Sequence, residues 1–194
     1  MRITQIGTLL LLAAPLHLLA QHPAPATDSP PPLAAERRNV ETMVSLIAES
    51  LVSTAEAMPA DKYGFAPTVG EFANVRTFSK QIRHLSATNF ILAAAALGRT
   101  PPADAGDEAG PDSVVTKEQH LRYLRLSFAA LREAAAAIGD PRVPVRSSPI
   151  SPFQGDTPTR LALVVEALVH AYDHYGQMVV YLRMNGVVPP ASRR

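Results

Sequence analysis

The chain has 194 residues, 47% of them hydrophobic, and a formal net charge of +1, which suits one globular domain and offers no basic surface for nucleic acid. It contains no cysteine, so disulfides, thiolate metal ligands and a cysteine nucleophile are excluded. Any metal chemistry must therefore come from imidazole and carboxylate side chains.

The N-terminal segment, residues 1–20, has the pattern of a secretory signal peptide, with Arg2 near its start, an apolar run and Ala20 before the expected cut. A membrane span needs about 20 apolar residues, and proline and histidine interrupt this run too early. We predict a secreted or periplasmic protein without stable membrane insertion after cleavage; an N-terminal anchor and a later cut are the alternatives. Residues 21–32, rich in proline, predict a disordered tether, and residues 33–194 a single folded domain.

The first two predicted helices follow from apolar residues that recur at steps of three and four. The first lies within residues 36–58, where Val40 and Val44 begin the pattern. A loop with two prolines and two glycines follows. The second helix covers residues 77–97 and is closed by Gly98.

The third and fourth helices are marked by their caps. Thr116 and Gln119 form a capping box before a near-heptad leucine seam. Thr157 is the predicted cap of the fourth helix, Pro158 its first residue and Gly186 its stop. No strand pattern competes, so we predict an all-α fold, a four-helix bundle with two long connections.

The fourth helix carries His170 and His174, four residues apart. This spacing places two side chains on one face, about 6 Å apart along the axis, so both imidazoles can reach one ion. The same face, predicted to point inward, holds these residues: Leu163, Glu166, Ala167, Gln177, Tyr181 and Met184. Such a pair is either half of a metal site or two hydrogen-bonded core histidines.

Two more histidines lie outside the N-terminal leader. His84 belongs to the apolar second helix, and His120 lies in the first turn of the third helix, next to its charged face, where a surface or rim position is expected. Three imidazoles on one divalent ion leave a coordination position open, which is typical of catalytic rather than structural sites. A third histidine would therefore turn the pair into a candidate catalytic centre.

Two segments resemble the DinB-like superfamily, in particular its bacterial members. MPADKYGFAPTVGEFANVRTFSKQIRHL contains a Tyr-x-Phe-x-Pro-Thr loop at residues 63–68, and HAYDHYGQMVVYLRMNGVVPPASR contains the family's C-terminal H-x3-H-Y-G-Q motif. The resemblance implies a four-helix bundle that holds a divalent metal ion, with zinc or nickel expected. The implied ligands are one histidine of the second helix and the H-x3-H pair of the fourth, which are His84, His170 and His174 here.

The resemblance also implies a class of activity. Relatives include metal-dependent hydrolases or isomerases and thiol-dependent transferases, so we expect a metal-dependent hydrolase or transferase with an unknown small-molecule substrate. The competing hypothesis is a non-enzymatic metal-binding or structural bundle, and a homodimer through an outer helix face is a further expectation. An enzyme needs an open ligand position, whereas a structural site would be sealed by Tyr181, Phe90 or the loop at residues 63–65.

Glu166, Gln177 and Tyr181 are the candidate catalytic residues beside the histidines. Glu166 lies one turn before His170 and is either the carboxylate partner of that ring or a rim group in solvent. Gln177 either projects into the pocket or is an amide that orients His174. Tyr181 is either a pocket hydroxyl or a core aromatic.

Overall fold

The computed structural model describes residues 33–140, 142–153 and 158–193. These residues form four long helices: α1 Ala34–Ala57, α2 Phe78–Ala96, α3 Lys117–Ala136 and α4 Arg160–Met184. Short 3-10 turns lie at Ala60–Lys62, Ala103–Ala105 and Pro190–Ser192, and the described part of the chain has no strand. The predicted all-α fold is confirmed, whereas the predicted signal peptide and tether lie outside the described residues.

The start of α3 confirms the predicted capping box, and a threonine also caps the start of α2. The Thr77 side chain accepts a hydrogen bond from the backbone N–H of Lys80. At α3, Thr116 accepts from the backbone N–H of Gln119, and the Gln119 side chain accepts in return from the backbone N–H of Thr116. These bonds satisfy N–H groups that have no partner within the helix.

The start of α4 differs from the prediction. Thr159 is the N-cap, and its hydroxyl oxygen accepts from the backbone N–H of Ala162 at 3.1 Å. Pro158 therefore precedes the helix instead of opening it, and Thr157 lies outside the described residues. Two threonines flank the proline, and the sequence did not show which of them reaches the first turn.

The helices pack so that α1 and α2 lie at opposite corners of the bundle. Each contacts both α3 and α4, and α3 and α4 touch each other less. Three long connections join them, residues 58–77, 97–116 and 137–159, where the sequence predicted two. A diagonal pair such as α1 and α2 cannot be joined by a tight turn, which explains the length of the first connection.

All four helices contribute to one core. Its fully buried members include Val44, Ile47 and Leu51 of α1, Phe78, Ile82 and Leu85 of α2, Leu124, Phe128 and Leu131 of α3, and Leu163, Val164 and Met178 of α4. Met184, predicted to face inward, is 47% exposed at the last residue of α4. None of the helices in the described ranges combines the length and the hydropathy that crossing a membrane requires.

A buried arginine ties the first turn of α4 to the ends of α2 and α3. Arg160 is 7% exposed. Its guanidinium donates to the backbone carbonyls of Ala96, Ala137, Asp140, Val143 and Pro144. Carbonyls at a helix C-terminus lack partners in the helix and carry partial negative charge, so the cation satisfies them. These bonds hold α4 beside α2, where the histidines lie.

Candidate metal centre

The site is built in layers between α2 and α4, which run antiparallel. The Gln81 side chain donates to Gln177 at 2.7 Å, and His84 meets His170 at 3.1 Å between their Nε2 atoms. The residue numbers of paired side chains therefore rise along α2 as they fall along α4. Gln81 lies three residues before His84, about one turn of α2, whereas Gln177 lies seven residues after His170, about two turns of α4. His174 lies between those two turns and contacts both Gln81 and His170.

Three imidazole nitrogens converge in the histidine layer. The Nε2 atom of His170 lies 3.1 Å from Nε2 of His84 and 2.9 Å from Nε2 of His174. The three residues form a group that could hold a metal ion, with candidate ligand atoms within 4.8 Å of one another. Two nitrogens that share an ion at about 2.0–2.1 Å each are about 2.9–3.4 Å apart for octahedral to tetrahedral angles, so the observed separations fit.

The hydrogen bonds of the outer ring nitrogens assign two tautomers. His84 Nδ1 lies 2.5 Å from the backbone oxygen of Glu108, which can only accept, so Nδ1 carries the proton. His174 Nδ1 donates in the same way to the side-chain oxygen of Gln81. The Nε2 atoms of both rings therefore present lone pairs to the centre, as metal ligation requires.

The histidines alone cannot satisfy this arrangement. With His84 and His174 both contributing lone pairs, only His170 can place a proton between the rings, and one proton cannot bridge to both neighbours. His170 Nδ1 is itself buried, with no hydrogen-bond partner in the described part of the chain. A cation at the convergence point would use all three lone pairs, so the donor set fits a divalent ion.

Burial keeps the three rings in the neutral form that binds metal. It lowers the pKa of His170 to about 4 and the pKa of His174 to about 3, and repulsion from the neighbouring rings adds to the effect. Burial also lowers the pKa of His84, against an opposing contribution from its bond to Glu108. The nearby charge of Arg76 acts in the lowering direction on all three. Protons therefore compete weakly for these nitrogens near neutral pH.

A chain of side-chain amides supports His174 from behind. Gln81, 2% exposed, accepts from His174 and donates to the side-chain oxygen of Gln177, which in turn donates to Asp173 at 2.9 Å. Orienting His174 was one of the two roles predicted for Gln177, but Gln81 makes the direct bond to His174 and Gln177 holds Gln81. Gln81 lies one turn before His84, and that spacing was the signal that could have identified it.

A comparison with protein families identifies the superfamily to which the chain belongs. A family model described as the DinB superfamily matches residues 43–178, which is more than half of the chain and includes all three histidines. The chain belongs to the DinB superfamily. A search of curated proteins finds no match for it. The resemblance drawn from the two sequence motifs is confirmed at the level of this superfamily.

Beside the histidines, the DinB-superfamily chain forms a chamber of about 560 Å³. Its polar lining comes from His84, His170, Thr88, Glu108 and Glu166. Its apolar lining comes from Leu92, Ile150, Pro152, Phe153, Ala162, Val165 and Val169. Cavities of a few hundred Å³ that are mostly apolar, with a few polar groups, are typical small-molecule sites.

Glu166 lies in this chamber, and its hydrogen bond within the described residues goes to Ser151 and not to His170. Its Oε2 atom accepts from the Ser151 hydroxyl at 2.8 Å, and burial raises the pKa of the half-buried carboxyl while the Ser151 bond opposes that rise. Glu166 is therefore neither the partner of the His170 ring nor a fully solvated rim group, because the Ser151 loop binds it at the chamber wall. Ser151 gave no signal in the sequence, since its segment reads as a proline-rich connection.

Tyr181, Phe90 and the loop at residues 63–65 do not line the chamber. The Tyr181 hydroxyl donates to the backbone oxygen of Arg76 at 3.0 Å, and the Tyr181 ring packs edge-on against Phe65. Of the two roles predicted for Tyr181, these contacts match the core aromatic. Phe90 packs on Tyr123. None of these rings lines the chamber, so they do not seal the histidine layer from it.

His120 is buried, and its predicted surface or rim position was wrong. It is 1% exposed, its Nδ1 atom donates to the backbone oxygen of Thr116 at 2.7 Å, and its ring lies edge-on to Tyr63. The loop after α1 covers this end of α3, a contact that helical periodicity cannot show. His120 is not part of the three-histidine group.

Proposed function

We propose that this DinB-superfamily protein binds one divalent metal ion, zinc or nickel, through His84, His170 and His174. The observation that carries the proposal is the convergence of three Nε2 atoms at 2.9 and 3.1 Å, two of them with tautomers assigned by hydrogen bonds behind the ring. Three-histidine ligation uses only neutral nitrogen donors, so both metals suit it.

We further propose that the protein is an enzyme, a metal-dependent hydrolase or transferase that acts on a small molecule in the chamber. The support is access to the histidines, because His84 and His170 both line the chamber and none of the rings that would have sealed the site, Tyr181, Phe90 and those of residues 63–65, lines it. With a position left open, the ion would polarise a substrate group and activate water. Glu166 has one carboxylate oxygen engaged by Ser151, so the other is open to a bound molecule, and either Glu166 or a group of the substrate would take the proton of the activated water.

Export is proposed as well. Residues 1–20 carry the pattern of a secretory signal, and an exported protein would have little access to cytosolic thiols, which favours hydrolysis over thiol transfer. The test is mass analysis of the intact protein recovered from culture medium or periplasm after expression of the full gene. We expect an N-terminus at Gln21; a chain that retains Met1 in the cytosol would contradict export.

Metal content tests the central proposal. The mature chain is purified without a histidine tag and analysed by elemental mass spectrometry, beside His174→Ala and His120→Ala. We expect about one ion per chain in the wild type and in His120→Ala, and almost none in His174→Ala. His120 is the matched control because it is another buried histidine outside the group. No metal in the wild type, even after reconstitution with zinc or nickel, would refute the proposal.

Metal binding without turnover would leave the competing hypothesis, a metal-binding or structural bundle. The homodimer through an outer helix face stays a prediction, and sedimentation equilibrium of the mature chain would test it.

A further inference from the structure

One helical turn beyond the histidines, the chamber has a second polar layer. Thr88 lies four residues after His84 on α2, and Glu166 lies four residues before His170 on α4. Because the two helices run antiparallel, Thr88 and Glu166 occupy facing positions about 6 Å along the axes from the histidine layer. Both line the chamber.

Thr88 is an unpartnered buried hydroxyl. The residue is 6% exposed, and its Oγ1 atom has no hydrogen-bond partner in the described part of the chain. A threonine in a helix commonly bonds the carbonyl one turn earlier, and a buried hydroxyl without a partner costs about 1–3 kcal/mol. Thr88 lines the chamber, so a turn of its side chain about χ1 brings the hydroxyl to the chamber surface, where a bound molecule can accept its hydrogen bond.

Glu166 presents a complementary acceptor. Ser151, 2% exposed, donates to Oε2 and thereby orients the carboxylate. No hydrogen bond or ion pair engages Oε1 within the described ranges. A carboxylate in a largely apolar surrounding needs a ligand group that donates to it and disfavours a second anion.

The remaining wall limits what the ligand can carry. Leu92, Ile150, Phe153, Val165 and Val169 supply apolar surface around the Thr88 and Glu166 layer. Phe153, Val165 and Val169 are partly exposed, so an unpaired charged group of a ligand would lose its hydration without compensation at the inner wall beside the buried Leu92. The chamber volume, about 560 Å³, is that of a pocket for a small molecule.

We propose that the chamber recognises a largely apolar, uncharged molecule that carries a carboxamide. The amide N–H donates to Glu166, and the amide carbonyl accepts from the Thr88 hydroxyl. The apolar body packs against Leu92 and Phe153. Only the reacting end depends on the proposed function, because the recognised amide lies about one helical turn from the histidine nitrogens and is distinct from the group that reacts.

Two probes with the same body test this proposal: 4-phenylbutanamide, and methyl 4-phenylbutanoate, which keeps the carbonyl and lacks the N–H. Their dissociation constants are measured by isothermal titration calorimetry on the mature, metal-loaded chain. We expect the amide to bind at least about tenfold more tightly, since the ester leaves the half-buried Glu166 carboxylate without a charge-assisted hydrogen bond.

Variants separate the two contacts. Glu166→Leu should bring the two affinities to about equality, and Glu166→Gln, which keeps the shape, should reduce the preference if the leucine variant does not fold. Thr88→Val, nearly isosteric, should weaken both probes alike, because both have a carbonyl. Glu49→Leu removes an exposed carboxylate of α1 far from the chamber and serves as the matched control, with both affinities unchanged.

The outcomes distinguish this inference from the proposed function, because metal content is measured on the same samples. Equal binding of the two probes to the metal-loaded wild type, or no binding of either at millimolar concentration, overturns the amide proposal and leaves metal binding intact. A tenfold preference in a chain that takes up no metal supports the recognition layer and refutes the metal-dependent reaction.

Discussion

Gln81 is the most informative residue to mutate, because its side chain links His174 of the histidine layer to Gln177 on the same helix. Gln81→Leu removes the acceptor of His174 Nδ1–H and the donor to Gln177 while it keeps a similar volume. Partners of this kind typically contribute 10–100-fold to metal affinity, so we expect zinc binding to weaken by about 1.4–2.8 kcal/mol. In the metal-free chain, an unpaired buried N–H on His174 should cost about 1–3 kcal/mol of unfolding free energy.

The assay is competition for zinc against a chromophoric chelator, with urea unfolding of the metal-free chain measured in parallel. Gln177→Leu should have a smaller effect on zinc affinity, because Gln177 acts only through Gln81. Tyr181→Phe is the control, since it loses a buried hydrogen bond to Arg76 that does not belong to this chain of amides. Zinc affinity of Gln81→Leu within twofold of the wild type would refute the assigned tautomer of His174.

Three further predictions concern stability. The pKa of His170 is lowered to about 4 and that of His174 to about 3, against about 6.5 when unfolded, so the unfolded state binds more protons in between. The urea concentration that half-unfolds the metal-free chain should therefore be lower at pH 4.5 than at pH 7, and the decrease should be smaller in His174→Leu. An equal decrease in the wild type and in His174→Leu would contradict this. Arg160→Met should lower the unfolding free energy by about 3 kcal/mol while metal per folded chain stays unchanged, because five carbonyls lose their donor; a thermal melt within the error of the wild type would exclude that role. Gly110→Ala places a Cβ 2.8 Å from the Arg83 carbonyl oxygen at a φ of 74°, so it should destabilise by about 1–3 kcal/mol. Gly176→Ala, with nothing within 4 Å, should stabilise by up to about 1 kcal/mol, and the reverse order would be a refutation.

The candidate site was only partly predictable from the sequence. Contacts within one helix were predicted, whereas contacts between residues far apart in the sequence were missed. His170 and His174 were found because their relation is local to one helix. Gln81 was missed because its partner is 93 residues away, and the Glu108 contribution was missed because a backbone carbonyl leaves no side-chain signal. His120 was misplaced because its burial depends on a loop from another part of the chain.

By itself, the sequence determined the four helices, most of their caps and the shared face of His170 and His174. Each of these depends on side chains within one or two helical turns, where spacing and backbone hydrogen bonding decide the outcome. Only the tertiary structure decided that His84 lies beside His170 across 86 residues of sequence, and that Thr88 and Glu166 line the same chamber. The physical reason is that the antiparallel pairing of α2 and α4, held by core packing and by Arg160, sets which residues share a layer.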